Sequence, residues 1–397
     1  MNILFVTNSE IVATCDGIHR ITSTLSQYFT IKHEYKCFLA YLAHNKAEPK
    51  TEFEEKFQVD KSNIYEQFSD FLTRNKIDIV ICQHVVGTRK IFEQMKLAVN
   101  KTQNCKFVYC FHLAPDYYFV HPNLNAEIFR FFDTFKNFRK IVVGLLPKLL
   151  YNILVSKEIQ KELAIYNDYF DKIVLLSKRY IQDYNKLSNI PAWKQKDVVA
   201  IPNILTFNEK ISEKDIESKE NIVLIVARLS ERLKRISQSL KIWKKVQQRT
   251  DIKDWRLIIL GIGDDEKYYK KLVKKLDIKK VYFEGRQNPI EYYKKASVYM
   301  MTSASEGWGL TLTEAQQMGV VPIVFDSFGA VHDIIEDKYN GLIIPNNDIE
   351  RYADKLAWLM QHDEECQTMA CNAVESSKKF HLSEIGKQWV KLLEDTL

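Results

Sequence analysis

Among the seven cysteines, at positions 15, 37, 82, 105, 110, 366 and 371, there is no C-x-x-C pair and no Cys/His metal spacing. A zinc site or a dithiol redox motif is therefore not expected. Cys15, Cys82 and Cys110 fall in or beside apolar stretches and read as small buried hydrophobes, with reduced thiols in a cytosolic protein the expectation. The chain opens directly on a strand-like run, Ile3–Val6, with no basic leader or cleavage site, so a signal peptide is not expected. No uninterrupted apolar run approaches the ~18 residues of a spanning helix. Internal repeats and low-complexity tracts are missing too. The loop Thr7–Gly17 lacks G-x-G-x-x-G, which argues against a dinucleotide-binding dehydrogenase. The net charge of +6 is mild. It suits an anionic substrate or membrane surface, and nucleic acid is not an expected partner.

What is present is enough chain for two full cores, with 397 residues and 46% hydrophobic side chains. Its most informative stretch is 298–326. A buried-strand run, Ser297–Met301, leads into a small-residue loop holding Glu306, Gly307 and Gly309. A short helix, Thr311–Met318, is then stopped by Gly319, and Val320–Phe325 reads as the next strand. This is a strand–loop–helix–strand unit with its glycines at the turn into the helix. Such a turn binds anions, through backbone N–H groups at the positive end of the helix dipole. The donors would be the amides of Gly309, Leu310 and Thr311, with the Thr311 hydroxyl in reach. Glu306 and Glu314 bracket the loop, and a carboxylate suits a vicinal diol, as in ribose or a sugar ring. Phosphate donors between two diol-reading acids describe a pocket for a nucleotide sugar.

The run Glu306-Gly-Trp-Gly-Leu-Thr-Leu-Thr-Glu314 resembles the Glu-x7-Glu motif of family-four retaining glycosyltransferases with the GT-B fold. The resemblance implies an α/β protein of GT-B architecture, with two Rossmann-like domains facing each other across a cleft. Residues 1–204 would form the N-terminal, acceptor-side domain, 205–220 a charged linker, and 221–379 the nucleotide-sugar domain. The last helix, 380–397, would return to the first domain.

Other segments fit the same family. Arg228 and Lys234 stand six apart on a loop leaving the strand Asn221–Ala227, where they can converge on one diphosphate. Gly261-Ile-Gly263 after the strand Arg256–Leu260 resembles the family's glycine turn, and Gly285-Arg286 should pass near the base. Asp264-Asp265 reads as a helix N-cap rather than a metal site. Gly307 and Trp308 fall within the donor-binding run. In the N-terminal half, Asp16-Gly17 stands where the family carries two adjacent glycines, so Gly17 is either a donor contact or a plain turn. His112 follows the strand Phe107–Phe111, where the family places a His on the donor sugar.

Residues 126–165 interleave Phe129, Phe131, Phe132, Phe135 and Phe138 with Arg130, Lys136, Arg139 and Lys140, ahead of the apolar run Leu149–Val155. Such a stretch either lies on an anionic membrane through 126–150 or packs as a helical lid.

The resemblance thus implies transfer of a hexose or N-acetylhexosamine, with retention, from a probable UDP-sugar to a saccharide or lipid-linked saccharide in surface polysaccharide or glycan synthesis. Neither a cofactor nor a metal is expected. Arg228 and Lys234 would steady the departing diphosphate, Glu306 and His112 the sugar, and Glu314 the ribose. The location would be cytoplasmic, with a peripheral seat on the inner membrane face left open. A GT-B-fold nucleotide-sugar epimerase is the nearest rival, followed by a non-catalytic sugar-nucleotide-binding subunit.

Overall fold

The structure is a computed structural model. It describes every residue except 13–15, 49–50, 86–88, 103, 135–141, 144 and 250–253, and for 130–134 the backbone alone. The chain divides into two compact units. The first is Met1–Pro115, Ser156–Thr206 and Phe380–Leu397; the second is Asp116–Val155 and Phe207–Lys379.

Among the described residues, the first unit carries the strands β1 (Asn2–Thr7), β2 (Lys36–Tyr41), β3 (Lys56–Gln58), β4 (Ile79–Gln83), β5 (Lys106–Cys110), β6 (Lys172–Leu175) and β7 (Asp197–Ala200). They form one sheet in the order β3-β2-β1-β4-β5-β6-β7, with every pair parallel. Runs such as Ile3–Val6, with no exposed side chain, are what a parallel sheet covered on both faces requires. Cys82 and Cys110 lie buried in this sheet, while Cys15 falls outside the described residues. The helix Leu382–Glu394 seals the unit. A methyl group on its Gly386 would stand 2.4 Å from the Tyr28 ring, so a glycine is needed for that approach.

The second unit repeats the plan with β8 (Glu220–Val226), β9 (Arg256–Leu260), β10 (Val281–Gly285), β11 (Ala296–Met301), β12 (Val321–Asp326) and β13 (Leu342–Pro345). Their order is β10-β9-β8-β11-β12-β13, again all parallel. In each sheet the winding reverses at one point, between β1 and β4 and between β8 and β11, and ligands bind beyond the strand ends at such a point.

Two boundaries differ from the sequence reading. Asp116–Val155 clusters with the second unit rather than with the rest of 1–204. The reason lies in specific bonds: Asn123 donates to Glu231 at 3.0 Å, and Arg232 Nε donates to the Val120 carbonyl at 2.9 Å. The charged stretch 205–220 is not a featureless linker either. Ser212 and Asp215 form a capping box on the helix Glu213–Glu217, and Ile216 is buried in the second unit's core.

The segment 126–150 is partly legible. Phe129 packs on Tyr268 with ring centroids 5.7 Å apart, and the Lys271 ammonium sits 5.3 Å from the Phe129 ring, so this aromatic belongs to a lid-like packing. Phe135, Lys136, Phe138, Arg139 and Lys140 lie outside the described residues, as do the side chains of Arg130, Phe131 and Phe132. Among the described residues no helix is long and apolar enough to cross a membrane.

Candidate functional site

The second unit's switch point is built by three strand-end loops. Ala227 N–H donates to the Leu260 carbonyl at 3.0 Å, and Leu229 N–H to the Ile262 carbonyl at 3.0 Å, so the loops after β8 and β9 run backbone against backbone. Gly261 makes this possible. Its φ is +132°, and a methyl group there would lie 1.9 Å from the Ala227 oxygen. A methyl at Gly263 would lie 2.3 Å from the Leu229 oxygen. The sequence reading assigned Gly261 to the donor; the structure gives it first a packing role that holds the Arg228–Lys234 loop in place. Gly285 has φ +68° with open space around it, and its carbonyl accepts from Gly261 N–H at 2.7 Å. The adjacent Arg286 is exposed.

Asp265 precedes the helix Glu266–Lys275 but does not cap it with its side chain. Its carboxylate instead accepts from Glu231 N–H at 2.7 Å, satisfying the first turn of the neighbouring helix Glu231–Lys234. Asp265 thus holds the expected N-cap position, while its buried carboxylate serves the basic loop from outside it.

On that loop, Lys234 forms an ion pair with Glu306. Glu306 Oε1 also accepts from Ser303 Oγ at 2.6 Å. Two of the expected site residues therefore meet directly. An ammonium has donors left after one such bond, and a carboxylate has lone pairs left, so both can still take a ligand. Arg228 is exposed and makes no side-chain hydrogen bond or ion pair among the described residues. Lys234 and Glu306 border a small cavity of about 10 Å³ that Val226, Ala227, Tyr299 and Ser303 also line.

Beyond Glu306 the chain enters the helix Leu310–Gln317 through Gly309, whose φ of +97° favours glycine over any other residue. The opening N–H groups of the helix have no acceptor within it, which is the anion-binding geometry expected for Leu310 and Thr311. Tyr299 donates to Thr311 Oγ1 at 2.7 Å. Glu314 is 3% exposed and accepts from the Tyr293 hydroxyl at 3.3 Å. Gly307 is half-buried on the loop. Trp308, expected beside the donor, is only 2% exposed.

The first unit holds the other two expected residues. Gly17 opens the helix Gly17–His33, which is capped by Asp16 accepting from His19 N–H at 2.9 Å. His112 sits just past β5 and, with Nε2 protonated, donates to Gln83 Oε1 at 2.6 Å. Burial and the nearby His84 push His112 down to about 3. Burial alone pushes His84 down to about 4. Both rings are neutral at physiological pH, so with Nε2 bonded to Gln83, His112 offers a ligand an acceptor nitrogen but no charge.

Sequence reasoning missed Tyr293, Tyr299 and Ser303, which lie in a helix, a strand and a loop with no motif to mark them. It also missed Arg235, whose signal was a second basic residue directly after Lys234.

Residues 206–376 match the family model for glycosyl transferases group 1. That stretch is a group 1 glycosyl transferase domain. An uncharacterised glycosyltransferase of Haemophilus influenzae is 30% identical over 228 residues, which is 56% of this chain and 61% of that protein. The α-1,4-N-acetyl-D-galactosaminyltransferase of Campylobacter jejuni that acts on a GalNAc-GalNAc-diNAcBac-PP-undecaprenol is 29% identical over 207 residues, 50% of this chain and 55% of that one. The chain thus covers less than two thirds of either relative. Anabaena HepE, solved with UDP-glucose, superposes with a TM-score of 0.70 at 14% identity over 100% of both chains. The fold is that of GT-B glycosyltransferases.

Proposed function

We propose that this glycosyl transferase domain moves a hexose or N-acetylhexosamine from a nucleotide sugar, UDP-linked, to a saccharide or lipid-linked saccharide, with retention at the anomeric carbon. The observation that carries the reading is the Lys234–Glu306 pair, on the loop that also carries Arg228 and followed by a helix N-terminus at Gly309. Cations for a diphosphate, a carboxylate for a sugar and amides for a phosphate stand together at a switch point. In the transfer, the bond from the anomeric carbon to the diphosphate oxygen breaks while the acceptor oxygen bonds to the same face. The acceptor's proton passes to the departing oxygen, whose charge Arg228 and Lys234 stabilise. Glu306 holds the sugar and Glu314 the ribose. The relatives' names, which include a transferase acting on a lipid-linked saccharide and one crystallised with UDP-glucose, support this choice of substrates.

A screen of donor hydrolysis across UDP- and GDP-sugars, run with and without excess EDTA, tests it. Turnover of at least one UDP-sugar, undiminished by EDTA, is expected. A requirement for Mn²⁺ or Mg²⁺ contradicts the role given to Arg228 and Lys234, and donor consumption that yields an epimer without acceptor favours the isomerase.

A membrane seat is the second reading, and it falls on a face the sequence reading only touched. Leu149, Leu150, Ile153 and Leu154 are 75%, 44%, 49% and 50% exposed, beside Lys148. An apolar helix face with a basic neighbour suits an anionic bilayer. Replacing these four residues by Ser is expected to reduce partitioning into anionic vesicles about tenfold or more, from roughly 25 cal/mol per Å² of apolar surface. Unchanged partitioning points to another face.

A further inference from the structure

Arg235 ends the helix Glu231–Lys234 in the left-handed region, at φ +49°. That conformation favours glycine, and here a long charged side chain adopts it. Its guanidinium is spent entirely on the fold. Nε donates to the Thr302 carbonyl at 2.8 Å and one terminal nitrogen to the Ser303 carbonyl at 2.6 Å. The other terminal nitrogen donates to Asn347 Oδ1 at 2.8 Å, and both terminal nitrogens reach Asn346 Oδ1 at 3.1 Å. The group lies 5.5 Å from the Phe325 ring centroid. Burial pushes it down to about 10, against the opposing pull of the Glu231 carboxylate. A rigid fork of donors is what two consecutive carbonyls call for; the point charge of a lysine could not span them.

What Arg235 grips is the start of the Glu306 loop. Ser303, whose carbonyl it holds, donates its hydroxyl to Glu306, and Glu306 pairs with Lys234, the residue directly before Arg235. The same seam includes Ala304 N–H to the Leu233 carbonyl at 2.6 Å, and Thr302 Oγ1 to the Lys234 and Arg235 carbonyls at 3.1 Å each. Arg235 therefore closes a ring: its backbone sets where Lys234 starts, and its side chain sets where Glu306 starts. The Gly309 turn and Glu314 lie outside this ring.

We infer that Arg235 is a positioning residue for the proposed transfer, holding Lys234 and Glu306 in register so that the departing diphosphate and the sugar are held together, while uridine binding is left to Glu314 and the Gly309 turn. The inference rests on the transferase reading for its kinetic consequence but not for its geometric one.

Two variants separate the roles. Arg235→Gly removes the fork while relieving the left-handed backbone, so the change does not add strain. Arg235→Lys keeps the charge but loses the fork. For Arg235→Gly, kcat is expected to fall about 30- to 100-fold, the loss of one or two charge-assisted bonds at the reacting centre. Affinity for uridine, which lacks the diphosphate, should stay within about threefold. Arg235→Lys should regain little of kcat, and added guanidinium ion should regain part of it in Arg235→Gly. Acylation of Lys234 by an amine-reactive ester, followed by mass spectrometry, should speed up several-fold in Arg235→Gly, because its Glu306 partner has moved. Three results overturn the proposal: kcat within about threefold of wild type, unchanged Lys234 labelling, or parallel losses of kcat, uridine binding and melting temperature, which mark a purely structural role. If the wild-type protein turns over no nucleotide sugar, the transferase reading fails, and the Lys234 labelling still decides the geometry.

Discussion

The two units share a sheet plan but furnish the ends of their strands differently. In the second unit the loops after β8, β9 and β11 are bonded to each other by backbone hydrogen bonds, two glycines, an ion pair and Arg235. In the first unit, the end of β4 and the residues past β4 and β5 offer Gln83, His84 and His112, the two rings held uncharged by burial. One set of strand ends is a fixed, charged cradle, and the ends of β4 and β5 are neutral. A diphosphate needs charge and close backbone approach, both of which demand particular residues. A neutral hydroxylated ligand can be met by many side chains. The family model accordingly matches residues 206–376, within which the cradle lies.

The sharpest way to break this contrast is Gly261→Ala. Its methyl would fall 1.9 Å from a backbone oxygen that cannot move alone, and φ +132° adds strain. Destabilisation of the second unit by about 3 kcal/mol or more is expected. Gly285→Ala is the control, because nothing lies within 4 Å of its added methyl and only φ +68° resists; about 1 kcal/mol is expected there. Thermal unfolding measures both. Equal effects would mean that the loops are not pressed together as described.

A smaller effect sharpens the other side. His84 and His112 titrate at about 4 and about 3 in the folded protein, against an unfolded value near 6.5. Between those values the unfolded chain binds more protons, so stability is highest above pH ~6.5 and falls as pH drops toward about 3. The acid slope should correspond to as many as two extra protons taken up on unfolding. His84→Asn with His112→Gln should flatten it, Asn being tolerant of the φ of +48° at position 84. A slope unchanged in the double variant would place the acid sensitivity elsewhere.

Much of this was legible in the sequence because the cradle depends on residue types with few substitutes. Gly309 must reach φ +97°, and Glu306 and Lys234 must carry charge. The apolar runs of β1, β8 and β11 were equally plain, being buried throughout. Other features were hidden because they depend on distant partners. Nothing in the sequence around Asp265 says that its carboxylate serves Glu231, thirty-four positions away. Trp308 reads as a ligand contact from its place in the motif, and its burial to 2% exposure depends on neighbours the motif does not show. Asp116–Val155 follows β5 in sequence, yet Asn123 and Val120 tie it to Glu231 and Arg232.

The central claim, that a uridine diphosphate sugar sits on the second unit's cradle, is tested most directly by calorimetric titration of UDP into wild type, Glu306→Ala and Glu314→Ala. Losing a charge-assisted hydrogen bond costs about 1.5–3 kcal/mol, roughly ten- to hundredfold in affinity. Glu314→Ala is predicted to weaken UDP by that factor, and Glu306→Ala to leave UDP nearly unchanged while lowering kcat with the intact donor. UDP binding lost in Glu306→Ala and kept in Glu314→Ala would reverse the two roles; binding unaffected by either would contradict the site itself.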